Sequence, residues 1–140
     1  MPYTPRLPEY IPTVIAENLL SYWLLYNVFL DASDAVLITD GNLILAVNKA
    51  TPFLFGYDVS ELLGQSVDML VPEGKRVDHS HLRDEFIRQP RFRDMGALLD
   101  VSGQAKDGTT FPITVSLAPL MEVAGLRVVV TVRRRVSLAS

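Results

Sequence analysis

Two short apolar runs flank a turn in the segment Ala35-Val36-Leu37-Ile38-Thr39-Asp40-Gly41-Asn42-Leu43-Ile44-Leu45-Ala46-Val47-Asn48. Both runs are rich in the long and β-branched apolar side chains that favour strands, and the Asp-Gly-Asn triplet between them suits a tight reversal. This pattern predicts a β-hairpin at the start of the folded domain.

Several short helices are predicted after this hairpin. Gly56 and Gly64 are suitable C-terminal caps, because glycine adopts the left-handed backbone that often ends a helix. Asp58 with Glu61 three residues later resembles a capping box. Pro90 closes a longer helix. The predicted helical segments are residues 49–55, 59–63, 66–70 and about 73–88.

The last third of the domain has the pattern of strands. Asp107-Gly108 predicts a tight turn, and the apolar residues at 111, 113, 115 and 117 alternate with smaller or polar ones, as in a strand buried on one face. The predicted strands are residues 97–106, 109–120 and 128–133, with a loop at 122–125. Two strands, helices and three strands predict an α+β domain, a five-stranded antiparallel sheet with helices on one face.

An amphipathic helix is predicted ahead of this domain. Residues 1–12 contain four prolines and are expected to form an irregular arm, residues 13–31 the helix, residues 32–136 the domain and residues 137–140 a tail. The apolar stripe of the helix is too broad to face solvent, so we expect it to cover the core and to form a homodimer interface. The candidate interface residues are Ile15, Leu19, Tyr22, Trp23 and Tyr26.

Composition limits the classes of function. The chain has 140 residues, 49% of them hydrophobic, and a net charge of −3, which argues against a nucleic-acid surface. The absence of cysteine excludes disulfides and thiolate metal sites and fits a reducing, cytoplasmic compartment. No secretory signal is visible. Polar residues such as Glu17 and Asn18 interrupt the apolar stretch 11–30, so no membrane span is expected.

Six segments in order carry a family resemblance. They are Ala35 to Asp40, Val47-Asn48-Lys49-Ala50, Leu54-Phe55-Gly56-Tyr57, Glu61-Leu62-Leu63-Gly64-Gln65-Ser66, Leu70-Val71-Pro72-Glu73 and Lys106-Asp107-Gly108-Thr109-Thr110-Phe111-Pro112. With these segments the chain resembles a PAS domain of the kind found in bacterial sensor histidine kinases. The resemblance implies a PAS fold and a regulatory module that couples ligand or partner binding to an effector domain, in the same protein or a separate one.

One segment raises the question of a cofactor. Arg76-Val77-Asp78-His79 resembles the helix of oxygen-sensing haem PAS domains, and this implies that His79 would be the axial ligand of a haem iron. The family's oxygen-binding arginine would fall at Leu99, and an arginine for the haem propionates at Glu85. Both departures weaken the haem interpretation.

Helical periodicity gives an independent view of the histidine. His79, Leu82, Phe86 and Ile87 share one stripe and are predicted to face the interior, whereas His81 lies on the other side. A buried imidazole needs a partner. That partner could be iron, a backbone carbonyl or a carboxylate such as that of Asp78.

The interior itself is open to several interpretations. Non-covalent FAD or a small apolar acid could occupy it, although the same side chains also describe a filled core. A flavin bound through cysteine is excluded, because the chain has no cysteine. The candidate cofactor-binding residues are His79, Leu82, Phe86, Leu99, Val101, Val115, Leu117 and Val130.

Three classes of function compete at this point. The first is a sensory module, and the second is a ligand-free dimerisation and protein-interaction module. The third, an enzyme, is not expected, because the sequence has no glycine-rich phosphate loop and no nucleophile elbow.

Overall fold

A computed structural model describes residue 29, residues 32–93 and residues 101–135. The strands are β1 (Ala35–Thr39), β2 (Ile44–Val47), β3 (Ser102–Gln104), β4 (Thr110–Glu122) and β5 (Gly125–Arg134). The α-helices are α1 (Ala50–Phe55), α2 (Val59–Leu62) and α3 (Arg76–Arg88), and 3₁₀ helices span Val67–Leu70 and Glu73–Lys75.

The five strands form one antiparallel sheet in the order β2-β1-β5-β4-β3. The first and last strands of the domain, β1 and β5, are therefore neighbours within the sheet. Leu37 of β1 pairs with Val130 of β5 on one side and with Val47 of β2 on the other. The predicted α+β class, strand count and order of two strands, helices and three strands are confirmed.

Helices cover one face of this sheet, and the main core lies between them. Phe55, Leu62 and Leu70 from the helical segments pack against Leu37 and Ile113 of the sheet. A second, smaller cluster joins Phe29, Ile38, Leu45 and Ala46. Because neighbouring residues of a strand point to opposite faces, Ile38 lies on the face opposite to Leu37. Phe29 thus contacts the sheet on the side away from the helices.

Local signals in the sequence explain several of the turns and caps. Gly56 ends α1 in the left-handed conformation, at φ 77°, and donates its N–H to the carbonyl of Pro52 at 2.8 Å. The Glu61 carboxylate accepts the N–H of Asp58 at 3.0 Å, as the predicted capping box requires. These predictions are confirmed.

Element boundaries differ from the predictions in the second half of the domain. The longest helix begins at Arg76, after a 3₁₀ turn, instead of at Glu73. The predicted loop at 122–125 is shorter, because β4 and β5 stay paired as far as Glu122 and Gly125. Gly125 has a φ of 122°, which glycine adopts readily at the close of so short a connection.

Asn48, between β2 and α1, makes a set of buried hydrogen bonds. Its side chain is fully buried, and its Oδ1 accepts hydrogen bonds from the N–H of Val36 at 2.9 Å and the hydroxyl of Thr51 at 2.8 Å. Its Nδ2 donates to the carbonyls of Asp34 at 2.8 Å and Ala32 at 3.3 Å. The amide therefore joins the chain entering β1 to the start of α1.

A segment after α2 covers the outer edge of β2. Ile44 donates its N–H to the carbonyl of Gln65 and accepts the N–H of Gly64 on its own carbonyl, both at 2.8 Å. The N–H of Val67 donates to the carbonyl of Asn42 at 2.8 Å. Backbone groups that an edge strand leaves open are here satisfied from within the chain.

Several predictions fall outside the described residues. These are the irregular arm 1–12, the tail 137–140, Leu99, the start of the predicted strand 97–106, and the N-terminal helix 13–31 apart from Phe29. The candidate interface residues Ile15, Leu19, Tyr22, Trp23 and Tyr26 lie in that helix. Across the described parts of the chain, no helix has both the length and the apolar character needed to cross a bilayer.

Candidate functional site

His79 lies in the first turn of α3 and is bound to a carboxylate. Its Nδ1 lies 2.8 Å from Oδ1 of Asp68, which belongs to the 3₁₀ helix Val67–Leu70. The imidazole is neither deeply buried nor free, with 36% of its side chain exposed. Among the partners that the sequence left open, a carboxylate is the one observed, but it comes from Asp68 instead of Asp78.

Arg83 binds the same carboxylate from one turn further along α3. Its guanidinium donates to Oδ2 of Asp68 and, at 3.3 Å, to the hydroxyl of Ser80, and its side chain is only 16% exposed. One acidic side chain therefore serves two basic ones. We call Asp68, His79 and Arg83 the Asp68 cluster.

The local structure holds the Asp68 cluster in place from both sides. Ser66 caps the 3₁₀ helix, since its hydroxyl accepts the N–H of Asp68 at 3.2 Å. At the start of α3, Nε of Arg76 donates to the carbonyl of Val71 at 3.0 Å. His79 and Arg83 are four residues apart and so lie on one face of the helix. The Asp68 cluster therefore holds this face of α3 against the 3₁₀ helix Val67–Leu70.

The electrostatics of Asp68 follow from these contacts. Burial raises the pKa of its carboxyl, but hydrogen bonds from Arg83 and His79, together with their charges, outweigh burial and hold the pKa below its usual value. A carboxyl with a lowered pKa in the folded state stabilises the fold above its unfolded pKa, about 3.9, and loses that contribution as the pH falls through the folded pKa.

We therefore expect Asp68→Asn to destabilise the domain in a pH-dependent way. At neutral pH the variant should lose about 1–2 kcal/mol of unfolding free energy, because Arg83 and His79 lose their charged acceptor. The difference from the parent chain should shrink as the pH falls below about 4, because the carboxyl of the unfolded parent then takes up a proton, and it should vanish once the pH lies below the lowered pKa of the folded state. Urea unfolding of both chains at pH 3 to 7 measures this difference in unfolding free energy.

Asp84→Asn is the matched control, because it removes the same charge from the exposed side of α3. It should leave stability nearly unchanged. A loss in Asp68→Asn that stays constant down to pH 3 would contradict the role assigned to the Asp68 carboxylate.

The predicted inward stripe of α3 is only partly correct. Phe86 is buried, but Leu82 is 55% exposed and Ile87 also reaches solvent, so the prediction that Leu82 faces the interior is wrong. Arg83 explains the difference: it turns towards Asp68 and places the covered side of the helix between His79 and Arg83. Leu82 is about 100° round the helix from Arg83 and falls beyond that covered side.

The strand residues predicted to line the interior do lie around the core. Val101, Val115 and Val130 are partly buried and pack against the main cluster. Leu117 is also partly buried, and its backbone exchanges two hydrogen bonds of 2.8 Å with Arg93. The side chains of Val101, Val115 and Val130 therefore extend the main core.

The described residues do not fit a haem around His79. The Nδ1 contact to Asp68 leaves Nε2 as the second nitrogen of the ring, which suits a ligating histidine. However, Leu82 points away, Arg83 is committed to Asp68, and Glu85 is an exposed acid where a propionate would need a cation. Nε2 of His79 could bind an iron, but the side chains around it are not those that haem needs.

An open groove of about 620 Å³ lies elsewhere, where the end of α1 meets the β3–β4 hairpin and the end of β5. Phe53 on its rim is 93% exposed. This groove was not predicted from the sequence, although Phe53 and Phe55 are two residues apart on a short helix and cannot both face the core. Its lining residues are Phe53, Leu54, Phe55, Gly56, Ala105, Lys106, Asp107, Thr109, Phe111 and Arg134.

Comparison with known proteins identifies the fold family. A model of the PAS fold family matches residues 24–135, which is most of the chain. The protein therefore belongs to the PAS family, as its sheet order and its helices on one face already indicated. PAS domains are sensory modules, and catalysis is not their function.

Two curated relatives place the domain among signalling proteins. The sensor protein FixL of Bradyrhizobium diazoefficiens is 32% identical over 90 residues, which cover 62% of this chain and 17% of FixL. A probable serine/threonine-protein kinase of Dictyostelium discoideum is 34% identical over 85 residues, or 61% of this chain and 6% of the kinase. The chain thus matches a small part of each relative.

Solved structures agree on the fold. A PAS domain of a two-component sensor histidine kinase superposes with a TM-score of 0.68 at 21% identity, over 85% of this chain and 100% of that one. An RNA-binding light-oxygen-voltage receptor also gives a TM-score of 0.68 at 21% identity, over 96% of this chain and 37% of that one. At this level of identity the likeness concerns the fold.

Proposed function

We propose that this chain is the sensory and regulatory PAS module of a bacterial, cytoplasmic signal-transduction protein, and that it acts on an effector through a homodimer. The similarity to part of FixL and to part of a protein kinase supports a place in front of, or beside, an effector domain. A separate signalling protein could be the effector equally well. Neither nucleic acid nor a membrane is proposed as a partner of this domain.

The contact of Phe29 with the outer face of the sheet is the observation that carries the dimer proposal. Phe29 ends the predicted amphipathic helix and packs with Ile38, Leu45 and Ala46. The helix would thus arrive at a sheet face that helices α1 to α3 leave free. Its candidate residues Ile15, Leu19, Tyr22, Trp23 and Tyr26 would then contact a second copy of the chain.

Strands β1 and β2 offer a short route from the core to that face. Leu37 and Val47 are fully buried beneath the helices, and their chain neighbours Ile38 and Ala46 belong to the cluster with Phe29. Because a strand is stiff and its side chains alternate, a shift of Leu37 in the core also moves Ile38 on the opposite face. A change in the core would alter the packing of the entering helix and bias one of two dimer arrangements.

We expect the purified 140-residue chain to be a dimer at micromolar concentration, and Phe29→Ala to weaken it. Loss of the aromatic contact should raise the dissociation constant about tenfold, because truncating this partly buried phenylalanine removes part of the packing that would hold the helix on the sheet. Sedimentation or native mass measurements from 1 to 100 µM give the constant.

Leu43→Ala serves as the control for this change. Leu43 is a partly exposed apolar residue at the turn between β1 and β2, outside the cluster that contains Phe29. It should leave the dissociation constant unchanged. A parent chain that stays monomeric at 100 µM would refute the dimer proposal.

The alternative that the sequence implied is a haem sensor with His79 as axial ligand. The hydrogen bond to Asp68 would orient the imidazole for such a role, but the other residues around His79 do not fit the group, so no haem chemistry is proposed. The absorption spectrum of the purified, haem-reconstituted chain distinguishes this alternative from FAD, from a small apolar acid and from a module without ligand.

A further inference from the structure

The groove between α1, the β3–β4 hairpin and the end of β5 combines an exposed aromatic ring with an uncommitted cation. Phe53 projects from α1 with 93% of its surface in solvent. A ring exposed to this extent offers apolar surface whose burial would favour the binding of a partner. Phe53 stands at the rim of an open groove of about 620 Å³, along which a bound segment could lie.

Arg134 supplies the charge of this groove. Its guanidinium lies 5.0 Å from the centre of the Phe111 ring, which forms part of the groove floor. A guanidinium stacked on a ring keeps its in-plane N–H donors free for a carboxylate. Within the described ranges no acidic side chain pairs with Arg134, whereas its neighbour Arg133 is bound to Asp34 at 2.8 Å.

The other charged groups of the groove are already engaged. Lys106 pairs with Glu61, Nζ to Oε2, at 2.7 Å. The carboxylate of Asp107 accepts the N–H of Thr109 at 2.9 Å and is thus turned onto its own hairpin. Arg134 is the group left to recognise an anion, and a carboxylate matches its fork of donors.

We propose that this groove docks an acidic peptide segment of a protein partner, a segment that carries an aromatic or large apolar side chain beside a carboxylate. The apolar side chain would cover Phe53, and the carboxylate would bind Arg134. This inference extends the proposed regulatory role by giving the module a second contact surface, on the helical side of the sheet. It does not depend on the dimer, which is tested by mass, so the two proposals fail separately.

The test is a titration of the ¹⁵N-labelled 140-residue chain with a synthetic heptapeptide that has one phenylalanine among glutamates. Amide shifts should move at residues 53–56, 105–109 and 134. Arg134→Glu and Phe53→Ser should each weaken binding about tenfold or more, because each removes one of the two anchors. Higher salt should weaken binding to the parent chain.

Two surface changes of the same type are the controls. Arg127→Glu reverses an equal charge on the same strand, and Phe92→Ser removes another exposed phenylalanine, and neither residue lines the groove. Both should bind the peptide as the parent chain does. If Arg134→Glu disturbs the fold by uncovering Phe111, Arg134→Gln keeps a side chain over the ring and should weaken binding several-fold.

Three results would overturn the proposal. One is an absence of shifts in the groove at millimolar peptide. Another is binding that neither Arg134→Glu nor Phe53→Ser weakens. The third is an equal response to 3-phenylpropionate at the same concentration, which would assign the groove to a free small acid.

Discussion

Asn48→Leu is expected to lower the free energy of unfolding by about 3–5 kcal/mol, because several buried polar groups lose their partners at once. The N–H of Val36 loses its acceptor, and the carbonyls of Ala32 and Asp34 lose their donor, whereas the hydroxyl of Thr51 can still donate to the carbonyl of Val36 at 3.0 Å. Leucine has the same branching and the same number of side-chain heavy atoms but is larger, so the loss combines the missing hydrogen bonds with some overpacking. The free energy of unfolding of a domain of this size is about 5–15 kcal/mol. We therefore expect the melting temperature to fall by roughly 10 °C or more.

Asn42→Ala provides the comparison. Asn42 also accepts a side-chain hydrogen bond, from Ser66 at 2.9 Å, but at the exposed turn after β1. In the variant, water can take the place of the Asn42 side chain beside Ser66. The change should therefore lower the free energy of unfolding by less than about 1 kcal/mol. Equal losses in the two variants would show that the buried position of the Asn48 amide does not matter.

Phe55→Ala is expected to cost about 3–5 kcal/mol, the typical loss when a buried phenylalanine is cut back to alanine. Phe55 is 1% exposed, and its ring centre lies 5.7 Å from that of Phe111. Its surroundings are rigid on a second side, where a Cβ added to Gly103 would come within 3.0 Å of the Phe55 ring. Collapse around the missing ring is therefore limited, and chemical unfolding should show the full loss.

Phe53→Ala is the matched control, two residues earlier on the same short helix. Its ring is in solvent, so the change should alter stability by less than about 0.5 kcal/mol. The pair separates helix propensity from burial, because the same substitution is made in the same helix. A similar loss in both variants would contradict the packing described for α1.

The elements that the sequence predicted well are those specified by neighbouring residues. The hairpin of β1 and β2, the cap at Gly56 and the turn at Asp107-Gly108 each depend on a few adjacent positions, and all are observed. Alternation of apolar residues also identified the face of β4 that carries the buried Phe111 and Ile113. Local backbone preference and side-chain period are sufficient for such features.

The features that the sequence did not predict depend on contacts between distant positions. Asp68 lies 11 residues before His79, and nothing in their spacing marks them as a pair. The four-residue spacing of His79 and Arg83 was the available signal, since it places an imidazole and a guanidinium, two possible hydrogen-bond donors, on one helical face. The role of Asn48 was not predicted for a similar reason, because its partners Ala32, Asp34 and Val36 lie 12 to 16 residues earlier in the chain.

The covered edge of β2 has a consequence for behaviour at high concentration. A bare outer strand is a template on which another chain can add a strand, and repeated addition leads to fibrils. Here Ile44 already exchanges both of its backbone hydrogen bonds with residues 64 and 65. Addition of a strand on that side would first have to displace this segment, so this edge of the sheet is protected against such polymerisation.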